Sequence, residues 1–438
     1  MRTNHDGAAA SGLRRLSLGL RARGTQWMIV GAAIAAVGAY LFQVLGTRGL
    51  GNDRFAPVGA LWTIQYLLVS VVLLPIETHV ARQSLIAGAT DLRASGLSLI
   101  RLWEWLTVVA VVASAVCWLV RDQLFRGPDD LALVVGAIVL AYGAFLIVRG
   151  RLAGAERFKA YGVVTASESM ARAVAAALVA AFVPSVRPFA WVMPLGAFVA
   201  AMWWLPLRRQ SREPRQTQPG TAEPPHTARF LAVTTASNAI TQLLLAGGPL
   251  LLAFLNASRE EISIFFVTIT AVRVPMVFAY GGVLSRLLPT FMRLERGGSP
   301  TAREVSLKIG LGTVVVALSL GTLAAAIGSP LVALLFGEAF RPTWWLAAGA
   351  TVGVLMATGS ILMQQFLIAR GDEVRALVAW AAALAASAGA VAIATGSATA
   401  RGVIGLLTGE GVALIALAFA ASLRATTSPR GAAPHIGV

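Results

Sequence analysis

The sequence predicts an all-α polytopic membrane protein of about 12 transmembrane helices in two parallel six-helix lobes around a central cavity. Three observations carry that expectation. Of 438 residues 57% are apolar and only 13% charged, and soluble domains carry roughly twice that charged fraction. The apolar residues gather in runs of about 20, the length that crosses ~30 Å of hydrocarbon at ~1.5 Å per residue. One long polar stretch, 208–229, divides the chain near its middle. A mean hydropathy of +0.74 excludes a string of water-facing domains.

Residues 1–26 form a basic tail with Arg14, Arg15, Arg21 and Arg23. The apolar run that follows, 27–46, is longer than the apolar core of a signal peptide and precedes no cleavage pattern, so it reads as an uncleaved first span. Spans 57–76, 103–120, 131–148, 163–183 and 189–207 complete an N-lobe over 27–207. The connector 208–229 holds Arg208, Arg209, Arg212 and Arg215 and then Pro219, Pro224 and Pro225, a composition that cannot bury a core. Spans 230–255, 262–289, 309–327, 343–369, 375–395 and 402–423 build a C-lobe over 230–423, and 424–438 is a second tail.

An even number of spans per lobe puts both tails and the connector on one side. Most of the 36 Lys and Arg fall on that side, which the positive-inside rule makes cytoplasmic. The expected location is the inner (plasma) membrane with both termini in the cytoplasm. Topology thus accounts for the net charge of +16, and no nucleic-acid partner is expected.

Two echoes suggest an internal duplication. Residues 73–82, LLPIETHVAR, match 287–296, LLPTFMRLER, with Pro75 against Pro289, a shift of 214. Residues 145–161 match 361–377 at a shift of 216, where GAERFKA answers RGDEVRA. Six spans per copy make the repeats parallel, a design found in two-lobed transporters.

Redox, metal and hydrolytic chemistry find no foothold. The chain has one cysteine, Cys117, and four histidines, with no Cys/His cluster. It lacks a GxxxxGK[ST] phosphate loop, a GxSxG elbow and an HExxH helix. No cofactor, no metal and no enzymatic activity are expected. The Asn256-Ala257-Ser258 sequon lies in a short loop beside a span and reads as incidental.

Ionisable residues inside spans cost at least ~2.5 kcal/mol each on insertion scales, so they face a polar cavity or a partner. Arg273 stands about mid-membrane in its span, with Pro275 and Gly281-Gly282 beyond it to bend the helix. It either awaits an anionic substrate, since a guanidinium fork suits phosphate oxygens, or pairs internally with Glu410. Glu168 and Arg172 are four apart on one helix face; they form a self-neutralised pair or contact substrate. Arg286 is close enough to the inner interface to snorkel, or it joins Arg273 across the Gly281-Gly282 bend. Glu410, between Gly409 and Gly411, either carries a coupling proton or balances an arginine. Gly247-Gly248-Pro249 interrupts the seventh span and is a hinge candidate, as are Pro275, Gly281 and Gly282. The spacing Gly349-xxx-Gly353 reads as helix packing.

Four segments carry a family resemblance: LGTRGLGNDRFAPVGALW after the first span, RGRLAGAERFKAYG after the fourth, VRVPMVFAYGGVLSRLLPTFMR in the eighth and LLFGEAFRP before the tenth. They resemble polysaccharide (O-antigen type) flippases of the multidrug/oligosaccharidyl-lipid/polysaccharide exporter superfamily. The resemblance implies two lobes around a cationic cavity that moves undecaprenyl-pyrophosphate-linked oligosaccharide between leaflets. It implies that Arg273 and Arg172 face this cavity; from the residue reading, Arg286 is expected to help bind the substrate, and Glu168 and Glu410 to tune those arginines or carry a coupling proton. Membrane lipid, glycosyltransferases and a glycan polymerase are the implied partners. The family's thirteenth and fourteenth spans have no counterpart in the sequence.

Alternatives differ in residue type. A drug or cation antiporter of the same superfamily is expected to carry a carboxylate in its first or seventh span, and neither 27–46 nor 230–255 contains one. A major-facilitator transporter would carry a Gly-xxx-Asp-Arg-type motif after the second span, where Gly88, Asp91 and Arg93 have the wrong spacing. A membrane glycosyltransferase or polymerase needs acidic residues or a large outer loop, and these loops are short.

Overall fold

The computed structural model describes residues 5–86, 99–126, 130–202, 227–273 and 302–423. All regular structure among them is helical. The first helical stretch, α1, covers His5–Leu67, 63 residues, too many for one crossing at about 20 residues per span, and it is two helices joined at a kink. Gly51 divides it, with φ 74° and ψ 171°, a backbone state essentially confined to glycine. The helix therefore supplies both the first and the second predicted spans.

Beyond it the backbone widens into a π-helical turn, Leu68–Leu73, before α2, Leu74–Ile86. Pro75 accounts for the widening. It has no N–H to return to the carbonyl of Val71, and its ring crowds that carbonyl.

The order continues with α3 Leu99–Leu119, the single turn α4 Arg121–Leu124, α5 Leu131–Gly154, α6 Phe158–Phe182 and α7 Val186–Met202. Then come α8 Thr227–Ala246, α9 Gly248–Phe254 and α10 over 259–273. The series closes with α11 Ala302–Phe336, α12 Trp344–Ala369, α13 Glu373–Ile393 and α14 Ala398–Ser422. Among the described residues eight helices are long and apolar enough to cross a membrane, nine when α8 and α9 count as one bent span. Every predicted span has a helix over its described part. The chain is a multi-pass, all-α membrane protein.

Two compact units divide the chain. The first holds Met1–Leu45, Val72–Leu119 and Asp130–Thr221; the second holds Gly46–Val71, Val120–Asp129 and Ala222–Val438. A boundary at the 208–229 connector thus differs from the compact units by two segments, 46–71 and 120–129, which lie in the second. Specific contacts hold them there. Arg48 donates to the carbonyls of Leu334 and Leu335, capping the end of α11, and Asn52 donates to Glu260 Oε1 and the Ala339 carbonyl. Phe55 meets Phe340 edge-on at 6.0 Å. Arg126 donates to the carbonyls of Ala253 and Ala257.

In the first unit α5 is apolar and buried around most of its circumference, as expected of a helix enclosed by neighbours. It packs on α2, α3, α6 and α7. In the second unit the core gathers Met363 and Phe366 of α12, Trp380 and Ala383 of α13, and Ala413 and Leu417 of α14. Gly349 and Gly353 of α12 lie directly against Val403 and Leu406 of α14, so this spacing is a packing seam, as expected. Val108, Val111 and Val112 on α3 and Leu311, Val315 and Leu318 on α11 remain exposed, apolar surface suited to lipid.

Two helix ends share one local geometry. At the end of α5, Glu156 takes φ 54° and the Arg157 amide donates to the Leu152 carbonyl. At the end of α12, Gly371 takes φ 74° and the Asp372 amide donates to the Leu367 carbonyl. Both are Schellman endings with a left-handed residue just past the helix, offset by 215. The second echo in the sequence is thus one C-terminal device built twice, one residue out of the register read from the letters.

Candidate functional site

In the first unit Glu168 and Arg172 come together as a closed pair. One turn of α6 brings them onto the same face, 3.0 Å apart. Tyr142 of α5 donates its hydroxyl to Glu168 Oε1 at 2.5 Å and accepts from Arg172 at 2.6 Å. Ser169 donates to Glu168 Oε2 at 2.6 Å and accepts from Arg172 at 3.3 Å. The Phe42 ring covers the guanidinium at 5.7 Å. Both charged residues are buried, at 5% and 3% exposure.

Two glycines close the packing over them. A Cβ on Gly38 of α1 would stand 2.8 Å from the Ser169 backbone, and one on Gly196 of α7 would stand 2.6 Å from the Glu168 carbonyl oxygen. Of the two readings open for this pair, the geometry is that of internal neutralisation.

The first unit holds a second network that the sequence reading passed over. Arg149 of α5 lies 3.3 Å from Glu77 of α2, and Tyr161 of α6 donates to Glu77 at 2.9 Å while accepting from Arg149. Both networks place a tyrosine hydroxyl between a carboxylate and a guanidinium. The sequence signal was available: tyrosines are scarce, five in the chain, and a buried tyrosine hydroxyl needs a partner.

The second unit contains Arg273 at the end of the described part of α10. Its guanidinium sits 4.3 Å from the centre of the Tyr66 ring. It makes no ion pair among the described residues, and Glu410 is not within ion-pairing distance of it. Tyr66 is held in turn, donating its hydroxyl to Gln242 at 2.8 Å. One turn further along each helix, Asn238 donates to the Ser70 carbonyl at 3.1 Å, and Gln242 reaches Asn238 at 3.4 Å. Tyr66 and Ser70 thus form an antiparallel polar ladder against Gln242 and Asn238.

The π-helical turn explains why that ladder can form. Widening the helix takes backbone carbonyls out of their usual bonding, and the Ser70 carbonyl turns to an amide on α8 instead. None of Tyr66, Ser70, Asn238 or Gln242 was among the sequence candidates. Their signal is i, i+4 spacing of neutral polar residues within apolar spans.

Glu410 is fully buried, with neither carboxylate oxygen hydrogen-bonded among the described residues. Its backbone carbonyl receives the Ser360 hydroxyl at 3.5 Å.

At Gly247-Gly248-Pro249 the chain bends by 67° between Ala232–Ala246 and Gly248–Phe254. Pro249 cannot return an N–H to the preceding turn, and Gly248 lets the Phe265 ring approach to where a Cβ would be 2.4 Å away. Arg286 and the candidate hinge residues Pro275, Gly281 and Gly282 lie outside the described residues. Among the described residues no group of three His, Cys, Asp or Glu could hold a metal.

No family model matches the chain. The uncharacterized protein Rv3630 of Mycobacterium tuberculosis is 24% identical over 347 residues, covering 75% of this chain and 77% of its own. The uncharacterized protein Mb3654 of Mycobacterium bovis is 24% identical over 346 residues with the same coverage, 75% and 77%. Among solved structures, the inward-facing conformation of a multidrug resistance MATE family transporter of the MOP superfamily aligns with TM-score 0.62 at 13% identity, over 90% of this chain and 97% of that one. The outward-facing conformation of a multidrug resistance MATE family transporter aligns with TM-score 0.54 at 16% identity, over 91% and 94%. The fold is therefore of the MATE type.

Proposed function

We propose that the protein is a secondary transporter that flips a polyprenyl-pyrophosphate-linked oligosaccharide from the inner to the outer leaflet by alternating access, serving polysaccharide biosynthesis. The supporting observation is Arg273, partly buried over Tyr66 with no acidic partner among the described residues. Keeping an ionised arginine in a span costs at least ~2.5 kcal/mol. A cation–π contact returns about 0.5–2 kcal/mol, which leaves the charge under-compensated. A pyrophosphate head group would supply the missing charge with paired acceptors that match the guanidinium fork.

The ladder behind it supports the same reading. Tyr66 is anchored by Gln242 and cannot turn aside, so the guanidinium has a fixed platform. The glycan would arrive from membrane-associated glycosyltransferases and leave to a polymerase on the far side. The MATE-type fold supports a moving two-lobed transporter, and the 67° bend at Gly247-Gly248-Pro249 is the element we assign to that motion.

A second reading, export of drugs or small solutes, is favoured by the fold likeness, because the matched structures are multidrug transporters. An uncompensated arginine disfavours a lipophilic cation as cargo. The test is flipping of fluorescent lipid-linked glycan in proteoliposomes. Arg273→Ala is expected to lower the rate tenfold or more and Arg273→Lys to fall between, since it keeps the charge but loses the fork. Full rates in both variants would eliminate this role, and drug efflux without glycan flipping would favour the second reading.

A further inference from the structure

Buried acidic side chains among the described residues fall into two kinds. Glu77 lies 3.3 Å from Arg149, Glu168 lies 3.0 Å from Arg172, and Asp372 lies 3.5 Å from Arg375. Each is balanced by a neighbouring guanidinium. Glu410 differs from all three: it is 0% exposed, and neither Oε1 nor Oε2 has a hydrogen-bond partner.

Among the described residues no charged side chain pairs with it either. Helix α14 packs against α8, α9, α11, α12 and α13; α9 and α12 contain no ionisable residue, and α8 has one, Arg229, in its first turn. On α13, Arg375 is engaged with Asp372 at the helix start, where Glu373 also lies. On α11, Glu304 and Lys308 lie in the first two turns. Arg401, on α14 itself, donates to the Val391 carbonyl at 2.9 Å and stands nine residues from Glu410. Among the described residues no charged side chain lies within ion-pairing distance of the Glu410 carboxyl.

An ionised carboxylate with no partner in a dry interior costs several kcal/mol or more, and such a group is stable only when neutral. We propose that Glu410 is a proton-binding site and that its proton is exchanged during the transport cycle. The exchange half rests on the transport reading above; the proton-binding half does not. On release the carboxyl O–H bond breaks, the electron pair stays on the carboxylate oxygen and the proton passes to water. Uptake reverses the step.

The flanking glycines suit such an exchange. Gly409 faces tight packing, where a Cβ would stand 3.0 Å from Leu244 and from Ser387, whereas a Cβ on Gly411 would meet nothing within 4 Å. Packing is thus tight at the residue before Glu410 and open at the residue after it.

The experiment uses the full chain in lipid nanodiscs and records acid-minus-base infrared difference spectra of wild type and Glu410→Gln. Wild type is expected to show a protonated-carboxyl C=O band that the Glu410→Gln spectrum lacks. Glu410→Asp, which keeps the titrating group and displaces the band, serves if the amide does not fold. Identical spectra in wild type and Glu410→Gln overturn the proposal, as does a band that responds to sodium at constant pH.

In proteoliposomes, the ratio of cargo movement with a pH gradient to that without is expected to fall to unity in Glu410→Gln. An unchanged ratio overturns the exchange half. If wild type moves no glycan, the transport reading fails while the infrared result still reports on the proton.

Discussion

At the scale of single residues, two arginines of the same sequence class meet opposite fates. Arg172 has a carboxylate, a phenol, a serine and an aromatic face around it, whereas among the described residues Arg273 has the Tyr66 ring and no ion pair. Removing one partner of a buried ion pair typically costs about 3–5 kcal/mol, while replacing both by apolar groups is often neutral or stabilising. Arg172→Met alone is therefore expected to lower thermal stability in detergent by about that amount, and Glu168→Leu with Arg172→Met to recover most of it. A single variant as stable as wild type would contradict the closed-pair assignment. The Glu168–Arg172 proximity was legible from spacing alone, because an i, i+4 pair must share a face. Tyr142 was not: it comes from another helix, and no local pattern announces a cross-helix contact.

At the scale of elements, the C-terminal devices of α5 and α12 offer a matched experiment. Glu156 occupies a left-handed position that glycine takes more cheaply, and Gly371 already holds the equivalent place. Glu156→Gly is expected to stabilise by several tenths of a kcal/mol and Gly371→Ala to destabilise by about 1 kcal/mol. Thermal unfolding that shows the same sign for both would contradict the shared geometry.

Ser258 and Glu261 form a reciprocal capping box at the start of α10, the Ser258 amide donating to Glu261 at 3.0 Å and the Glu261 amide to Ser258 at 3.1 Å. Ser258→Ala is expected to cost about 1 kcal/mol of stability, measured in the same assay. A loss near zero would show the cap to be redundant.

The spans themselves were legible because a 20-residue apolar run admits few other folds. The π-helical turn at Leu68–Leu73 was not, although Pro75 in hindsight marks it. The junction between the first two spans was also hidden, since one glycine at 51 breaks the helix there rather than a polar loop.

At the scale of the whole molecule, the apolar helices and the MATE-type fold agree on a membrane-embedded protein. The motif segments 45–62 and 334–342, which carried part of the family resemblance, meet through Arg48, Asn52 and Phe55. Their shared character thus has a structural role in tying loops within the second unit. In the proposed function the weight falls instead on Arg273, an arginine visible in the sequence, and on its Tyr66–Gln242 support, a contact between helices that only the fold brings together.

Binding of a labelled polyprenyl pyrophosphate to the protein in nanodiscs, compared between wild type and Arg273→Ala, interrogates that arginine without requiring turnover. The expected result is binding that inorganic pyrophosphate competes away in wild type and that weakens tenfold or more in the variant, about 1.4 kcal/mol. Equal affinity in the two proteins would contradict the account.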